Sequence, residues 1–422
     1  MPQRKYTKTM PEKHRAFKRI VLPIALETYQ SLVEHPEAFR HWLDEQIAKY
    51  PQLFPEGIEQ GYTLHDQRKS KKMPEVTLRR IKLKARNAQG REMVFTIVPS
   101  GITPYMTGKT DEVEKALFLR RFGVPYWGLA YVFGRDEQYW YRLVNQIGRL
   151  EVVATTVQAP ERLPKHLLAD EKHVWLNGEK AYLATTVGEE CVLGCSVALS
   201  ADETALTEAY GVFQKEAQHL DPDYQPKTVN TDGWSATQKA WKALFPLIVV
   251  IECFLHAFLK IRQRVRKRFG DIYPELVKQV WHVYHAPQAS VFRERAKALQ
   301  GWAQQRLSGS ALEAVQKLVS KTDRFVLAYA HPGAYRTSNM LDRHMLPMAR
   351  WLTNAQYFHG HRSSAEWQVR AWCLLHNFLP YSPRARASQD FISPAHRLNG
   401  FVYHENWLHN LLISSSHAAA LC

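Results

Sequence analysis

The 422 residues of this chain suffice for roughly two or three domains, and a composition of 45% hydrophobic and 12% aromatic residues excludes a largely disordered protein. Lys and Arg outnumber Asp and Glu by 56 to 40, and the resulting net charge of +16 favours a polyanionic partner such as nucleic acid. Five cysteines exclude a disulfide framework. Without a visible secretory signal or a sufficiently long apolar run, we expect a soluble cytoplasmic protein with no membrane partner.

Residues 1–109 form a first predicted region that combines helices with a β-hairpin. Apolar positions at helical spacing predict one or two helices in ETYQSLVEHPEAFRHWLDEQIAKYPQLFP. Two strand-like runs around a polar AQG turn predict a hairpin in VTLRRIKLKARNAQGREMVFTIVPSG. This region fits both a small DNA-contacting subdomain and a plain structural cap.

Residues 110–150 predict three short helices, in DEVEKALFLRRFG, VPYWGLAYVFG and RDEQYWYRLVNQIGR, each with a glycine at its end. A tight Gly-Arg turn before the last helix gives the outline of a helix-turn-helix, whose final helix enters the major groove of DNA. The predicted outward side chains of that helix are hydrogen-bonding types that reach bases or phosphates: Gln138, Tyr139, Arg142 and Gln146. The same helices also fit an ordinary helical bundle.

After a predicted linker at 151–164, residues 165–269 predict a mixed sheet with elements in the order β-β-β-α-β-α-β. Three consecutive runs separated by short turns, LLADEKHVWL, EKAYLATTVG and ECVLGCSVAL, predict an antiparallel meander. A helix, the strand PKTVNTD, a second helix, the strand LIVVIE and a basic helix follow. This order is that of a ribonuclease H-like core, in which the first strand carries one catalytic acid and the fourth ends at another.

Residues 270–330 are predicted to be an all-helical insertion that interrupts this core before its last helices at 331–383. The tail at 384–422 lacks helical periodicity, and we expect it to be partly ordered loop. The predicted fold class is therefore α/β, with a ribonuclease H-like core built on a mixed five-stranded sheet, an all-helical insertion and an N-terminal helix-turn-helix region.

Two acids in the predicted core are candidates for a metal-binding pair. Asp170 lies in the first strand and Asp232 ends the fourth. Two nearby carboxylates are unfavourable unless a cation neutralises them, which is why such pairs bind Mg²⁺ or Mn²⁺. Two ions can activate a water or a 3′-hydroxyl and stabilise the leaving oxygen of a phosphodiester. The triplet TDG at Asp232 is also an ordinary turn sequence.

A third acid is expected from a helix after the insertion. Asp342 falls in the first turn of a predicted helix that Ser338 or Asn339 caps, which would hold its carboxylate rigidly. Glu366 in SSAEW is a second candidate, and it also suits a capping box at the start of its own helix. The choice between Asp342 and Glu366 remains open at this point.

Cys253 and His256 form a Cys-x-x-His pair on one helical face. A zinc site normally needs four ligands and no second matching pair is present, so this pattern favours a structural role or a place in the lining of the active site. Basic residues follow, suited to phosphate contacts and also compatible with a solvated helix face: Lys260, Arg262, Arg264, Arg266, Lys267 and Arg268.

In their order along the chain, these motifs resemble those of the Mutator-like DDE transposases of bacterial insertion sequences, over residues 167–378. The resemblance rests on an acid in the first strand, an acid followed by Gly, a Cys-x-x-His pair after Phe-Pro, a helical insertion and R-T-S-N-x-x-D, carried by Asp170, Asp232, Cys253, His256 and Asp342. The chain departs from the family at Ser338, where Thr is usual, and at Asp342, where Glu is usual. Because Asp is shorter than Glu, Glu366 remains a candidate for the third acid.

The resemblance implies a transposase that nicks double-stranded DNA at element ends and joins the freed 3′-hydroxyl to target DNA. Asp170, Asp232 and Asp342 would hold two Mg²⁺ or Mn²⁺ ions, and the protein would act as a homo-oligomer associated with the nucleoid. The competing hypothesis is a sequence-specific helix-turn-helix DNA-binding protein on a catalytically inactive ribonuclease H-like scaffold. Carboxylates that lie apart in the structure would favour this second hypothesis.

Overall fold

A computed structural model describes residues 18–69, 71–87, 89–104, 107–266 and 269–416 of the chain. Within these ranges the protein is a mixed α/β fold with two β-sheets, one of four strands and one of five. Over the same ranges, no helix combines the length with the apolar composition that crossing a membrane requires.

The four-stranded sheet consists of β1 (Arg19–Leu22), β2 (Tyr62–Lys69), β3 (Thr77–Arg86) and β4 (Glu92–Pro99). Its order is β1-β4-β3-β2, with β1 parallel to β4 and the other neighbours antiparallel. Helices α1 (Leu26–Glu34) and α2 (Pro36–Lys49) accompany it, and the hydroxyl of Tyr29 donates to the carbonyl of Ile97 at 2.7 Å. These helices and the β3–β4 hairpin occur where the sequence predicts them.

Strands β1 and β2 have no counterpart in the prediction. β2 is an edge strand whose side chains are mostly exposed, so it shows no alternation of apolar and polar residues. β1 is only four residues long, and its partner β4 lies far along the chain. Neither strand therefore carries the local pattern from which strands are predicted.

The next region consists of α3 (Thr110–Arg121), α4 (Tyr126–Phe133) and α5 (Glu137–Gly148), which match the three predicted helices. Asp136 caps α5 by accepting a hydrogen bond from the backbone N–H of Tyr139 at 2.6 Å. The predicted linker at 151–164 is wrong, because α6 (Val152–Thr156) buries most of its side chains. Apolar residues on this short helix pack into the protein interior.

The five-stranded sheet consists of β5 (His166–Leu176), β6 (Glu179–Gly188), β7 (Cys191–Ala198), β8 (Thr228–Thr231) and β9 (Val249–Glu252). Its order is β7-β6-β5-β8-β9. The first three strands in sequence form an antiparallel meander, whereas β8 runs parallel to both β5 and β9. The predicted mixed five-stranded sheet is therefore present.

Alternate residues of β5 face the two sides of this sheet. Leu167 and Ala169 pack in one core with α7 (Glu203–Leu220) and α8 (Ser235–Leu244), which cover that side. Leu168 packs on the other side with α14 (Asn339–Asn354) and α15 (Arg362–Phe378). Because side chains alternate along a strand, Asp170 projects to the same side as Leu168.

The predicted insertion is helical and has a core of its own. Helix α9 (Phe254–Val265) leads into it, and its own helices are α10 (Tyr273–Tyr284), α11 (Ala289–Arg306), α12 (Gly309–Val319) and α13 (Thr322–Val326). Phe254, Phe292 and Phe325 lie at the centre of this core, with ring centroids 5.3 to 6.2 Å apart.

The C-terminal segment is folded to residue 416, so the expectation of a partly ordered loop is wrong there. It forms α16 (Pro383–Arg386), α17 (Pro394–Asn399) and α18 (Trp407–Ser414). Every residue of α18 is buried, so the helix lacks the polar face that produces a helical period in the sequence. The segment ends beside β1, where the hydroxyl of Ser416 bonds the backbone of Val21 at 2.8 and 2.9 Å.

Candidate acid site

Strands β5 and β8 bring Asp170 and Asp232 to the same level of the sheet. The two strands are parallel, and their register pairs His166 with Thr228, 62 residues later in sequence. Asp170 and Asp232 have this same separation, so they lie opposite each other two residues beyond the paired segment. Neighbouring strands are about 4.8 Å apart, so the two acids are neighbours where β8 ends beside the middle of β5.

The backbone fixes both carboxylates in place. Oδ1 of Asp170 accepts a hydrogen bond from the N–H of Glu171 at 2.9 Å, and Oδ1 of Asp232 accepts one from the N–H of Trp234 at 2.8 Å. Gly233, between Asp232 and Trp234, has φ of 94°, a conformation that favours glycine. The TDG triplet thus does form a tight turn, and that turn orients the Asp232 carboxylate at the end of its strand.

Asp342 reaches the same region from the first turn of α14. The hydroxyl of Ser338 donates to Oδ2 of Asp342 at 3.0 Å instead of capping the helix. The N–H of Ser338 bonds Sγ of Cys253 at 3.2 Å, and the N–H of Phe254 bonds the carbonyl of Arg336 at 3.1 Å. The segment before α14 is therefore fastened to the end of β9, next to the strand that ends at Asp232.

The charges of Asp232 and Asp342 both act on the carboxylate of Asp170. Burial raises the pKa of Asp170 to about 6, and the negative charges of Asp232 and Asp342 add to this rise, whereas His256 opposes it. Asp170 and Asp232 are half-buried and Asp342 is exposed, and a cation would relieve the repulsion that the other two charges exert on Asp170.

Cys253 and His256 lie beside this group, as expected for residues that line a site. Their mutual contact raises the pKa of His256 to about 9, and Asp170 and Asp232 add to the rise. Burial raises the pKa of the Cys253 thiol, but contacts with His256 and Ser338 outweigh it and bring the pKa below its usual value. The pair thus supplies a protonated imidazole next to the acids at neutral pH.

The structure does not bring Glu366 to this group. Its carboxylate accepts a hydrogen bond from the N–H of Val197 in β7 at 2.7 Å, and β7 is separated from β5 by the intervening β6. Its helix α15 begins at Arg362 with His361 at the N-cap position, so Glu366 does not act as a capping glutamate either. Of the two candidates for the third acid, Asp342 is the one whose charge acts on Asp170.

The acid site fits Mg²⁺ or Mn²⁺ by its donor chemistry. Carboxylate oxygens are the ligands these ions prefer, and Mg²⁺ is often held by one or two carboxylates together with water and substrate phosphates. In the described part of the chain, no three His, Cys, Asp or Glu side chains are close enough together to enclose a metal ion. To share one ion, Asp170, Asp232 and Asp342 would therefore have to move closer together than they lie here, with water or DNA completing the coordination.

Two buried glutamates near the site were not predicted as functional residues. Glu171 lies on the opposite face of the sheet from Asp170, where Oε1 accepts hydrogen bonds from Tyr210 at 2.8 Å and Thr237 at 2.7 Å. Burial raises its pKa to about 7. Glu252 ends β9, and its signal in the sequence is an acid at the end of the apolar run LIVVIE.

Only half of the residues predicted to contact DNA from α5 are exposed. Gln138 and Arg142 face solvent. The hydroxyl of Tyr139 and Oε1 of Gln146 are buried and have no hydrogen-bond partner within the described ranges, so these two residues are poorly placed for DNA contacts. Helix α5 packs along α15, which leaves only part of its surface exposed.

The basic residues of α9 are exposed as far as the structure describes them, which fits both phosphate contacts and a solvated helix face. Four of them have exposed side chains that form no ion pair with other described residues: Lys260, Arg262, Arg264 and Arg266. Lys267 and Arg268 lie outside the described residues. Since Lys260 and Arg264 follow His256 at successive helical intervals of four residues, they share its face and lead away from the acid site.

Comparisons with known proteins do not identify this chain. No protein-family model matches it, and no curated protein matches it either.

Proposed function

We propose that this protein is a DDE-type transposase that binds insertion-sequence ends and catalyses Mg²⁺-dependent cleavage and transfer of DNA strands. The observation that carries the proposal is that Asp170 and Asp232 lie on neighbouring parallel strands and that the charges of both Asp232 and Asp342 act on Asp170. The residues between Asp232 and Asp342 include the helical insertion, yet Asp342 still comes near the strands that carry the other two acids. This proximity supports a shared chemical role for the three residues.

The topology of the sheet supports the same proposal. An antiparallel meander followed by two parallel strands, in the order β7-β6-β5-β8-β9, agrees with a ribonuclease H-like core. In that reading the first acid lies on the central strand and the second at the end of its parallel neighbour. The helical insertion distinguishes this chain from a minimal nuclease such as a resolvase, which does not need one.

Each group of residues has a part in the proposed reaction. Asp170, Asp232 and Asp342 would hold the metal ions, which activate the attacking oxygen and stabilise the leaving oxygen in an in-line displacement. The fixed turn at Asp232 keeps its carboxylate oriented, and protonated His256 holds positive charge beside the acids until substrate arrives. The exposed basic residues of α9 would bind DNA phosphates next to this site.

The remaining contacts with DNA would come from the region of α3, α4 and α5. Exposed Gln138 and Arg142 on α5 are of the types that contact bases and phosphates. A transposase must bridge two element ends, so we propose a homo-oligomer that binds both terminal repeats and target DNA. Its place of action would be the cytoplasm, on nucleoid DNA.

A cleavage assay tests this proposal. A supercoiled plasmid carrying the sequences that flank the coding region on both sides is incubated with Mg²⁺ and with wild-type protein, Asp232→Asn or Glu366→Gln. Wild type and Glu366→Gln are expected to nick the plasmid, whereas Asp232→Asn is expected to leave it at background level. Equal nicking by wild type and Asp232→Asn would contradict the assigned role.

The second candidate is a DNA-binding protein on an inactive ribonuclease H-like scaffold. It is favoured by the observation that no three potential ligands among the described residues already enclose a metal position. Its expected result in the same assay is specific binding to the flanking sequences without Mg²⁺-dependent nicking. Binding alone, with no cleavage by the wild type, would therefore replace the first proposal by this one.

A further inference from the structure

Glu252 lies directly against the turn that carries Asp232. It pairs with Thr231 across β8 and β9, and its side chain is only 2% exposed. A Cβ atom on Gly233 would overlap Oε1 of Glu252, so the glycine leaves the space that this carboxylate occupies. A second buried negative charge therefore sits one strand away from the acid site.

Two cations of the helical insertion reach Glu252 from outside the sheet. Nζ of Lys321, between α12 and α13, bonds Oε1, and Nη1 of Arg324 bonds Oε2 at 3.2 Å. The Lys321 side chain is 20% exposed, whereas that of Arg324 is 56% exposed. Glu252 thus holds one largely enclosed cation and one that faces solvent.

Removing one cation from a buried carboxylate leaves an uncompensated charge, which explains why Glu252 requires a partner. One cation is enough to neutralise the Glu252 carboxylate, so neutralisation alone does not require the second. An Arg guanidinium has five N–H donors, and the single bond from Arg324 to Glu252 leaves donors directed to solvent. Within the described ranges, no other acid pairs with this guanidinium.

Lys321 also lies close to the acid site, and Arg324 lies beside it on the same carboxylate. Burial and the neighbouring Arg324 lower the pKa of Lys321, and the negative charge of Asp232 opposes this effect. Lys321 is therefore within the electrostatic reach of Asp232. A phosphodiester bound at the acid site would bring additional negative charge to the position that Lys321 and Arg324 border.

We propose that Glu252 holds Lys321 and Arg324 as a phosphate clamp, through which the helical insertion contacts the DNA strand at the acid site. The clamp rests on the proposed function, because its ligand is the phosphodiester of the strand to be cut. Lys321 and Arg324 are positioning residues that fix the phosphate, and Glu252 fixes their side chains. The insertion then has a direct part in aligning substrate.

The test compares Arg324→Ala with a matched control, Lys317→Ala, which removes one exposed positive charge from α12 in the same insertion. Binding of a short duplex is measured against salt concentration without Mg²⁺, and single-turnover cleavage is measured with Mg²⁺. Arg324→Ala is expected to reduce the salt dependence of binding by about one phosphate contact. Its cleavage rate at saturating DNA is expected to fall about ten- to a hundredfold.

Two further variants separate a clamp from a merely structural contact. Arg324→Lys keeps the charge and is expected to restore the salt dependence but only part of the cleavage rate, because a lysine lacks the planar fork. Glu252→Gln keeps the shape of the side chain and is expected to lower cleavage while thermal unfolding still shows a folded protein.

The outcomes that count against the clamp are distinct from those that count against the proposed function. If the wild type cleaves DNA and Arg324→Ala matches Lys317→Ala in both salt dependence and cleavage rate, the clamp is wrong and the proposed function stands. If the wild type neither binds nor cleaves DNA, the proposed function fails and the clamp fails with it.

Discussion

Asp170 shows at the scale of one residue how the acid site responds to protons and cations. Burial and the charges of Asp232 and Asp342 raise its pKa to about 6 from the ordinary 3.8. The folded protein therefore binds this proton more tightly than the unfolded chain does. The stability contribution of Asp170 is greatest below about pH 4 and falls as the pH rises through 6 in the metal-free protein. A divalent cation competes with the proton, so metal binding should strengthen over the same interval.

Gly233 is required both for its positive φ and for the space it leaves to Glu252, and a comparison with Gly90 distinguishes the two effects. Gly233 and Gly90 both have positive φ, 94° and 71°, but only Gly233 would place a Cβ atom against Glu252. The positive φ costs an alanine roughly 1–2 kcal/mol at either position. Overlap with a packed neighbour adds about 1–3 kcal/mol at Gly233.

Gly233→Ala is therefore expected to lower the free energy of unfolding by more than Gly90→Ala, in urea denaturation monitored by tryptophan fluorescence. Gly233→Ala should also reduce DNA cleavage, because the turn orients Asp232. Equal destabilisation by the two variants would show that the close approach of Glu252 contributes nothing.

At the scale of secondary-structure elements, local patterns predicted the helices and strands whose faces differ in polarity. The helices of the insertion carry such patterns, whereas the meander β5 to β7, whose strands β6 and β7 are buried on both faces, was predicted from apolar runs between short turns. Helix α18 was missed because it is buried on every side, and β2 because nearly every side chain is exposed. Both elements lack the contrast between an apolar and a polar face that periodicity records.

Helix α9 carries the element-scale prediction that its basic face binds DNA. The double variant Lys260→Ala/Arg264→Ala removes two exposed charges on the face that begins at His256. We expect the salt dependence of duplex binding to fall by about two phosphate contacts.

The control is Lys278→Ala/Lys297→Ala, which removes the same charge from exposed positions on α10 and α11. Fluorescence anisotropy at a series of salt concentrations measures duplex binding by both double variants. An equal reduction in the two double variants would mean that net charge, and not the face of α9, determines the affinity.

At the scale of the whole molecule, the acid site depends on contacts that no local pattern records. The sequence marked Asp170, Asp232 and Asp342 by their place in an ordered series of motifs. The choice of Asp342 over Glu366 needed the position of α15 next to β7. The ion pairs of Glu252 with Lys321 and Arg324 join residues 69 and 72 positions apart, and the sequence gives no sign of such a pairing.

Contacts between segments that are distant in sequence hold the parts of the fold around the acid site together. The R-T-S-N segment is fastened to Cys253 at the end of β9, which carries Asp342 to the sheet. The C-terminal segment returns to β1, so the first and last described parts of the chain support each other. The acid site thus combines residues from the sheet with a segment that follows the helical insertion.

Calorimetric titration with Mn²⁺ tests the central claim, that Asp170, Asp232 and Asp342 form a metal-binding group, most directly. At pH 8 the wild type and Glu366→Gln are expected to bind Mn²⁺ saturably and alike. Asp170→Asn should bind at least about tenfold more weakly, since losing a ligand costs no less than losing its supporting hydrogen bond. Wild-type binding should also weaken at pH 5, where Asp170, with a pKa of about 6, holds its proton. Equal affinities for wild type and Asp170→Asn, or loss of binding in Glu366→Gln, would contradict the claim.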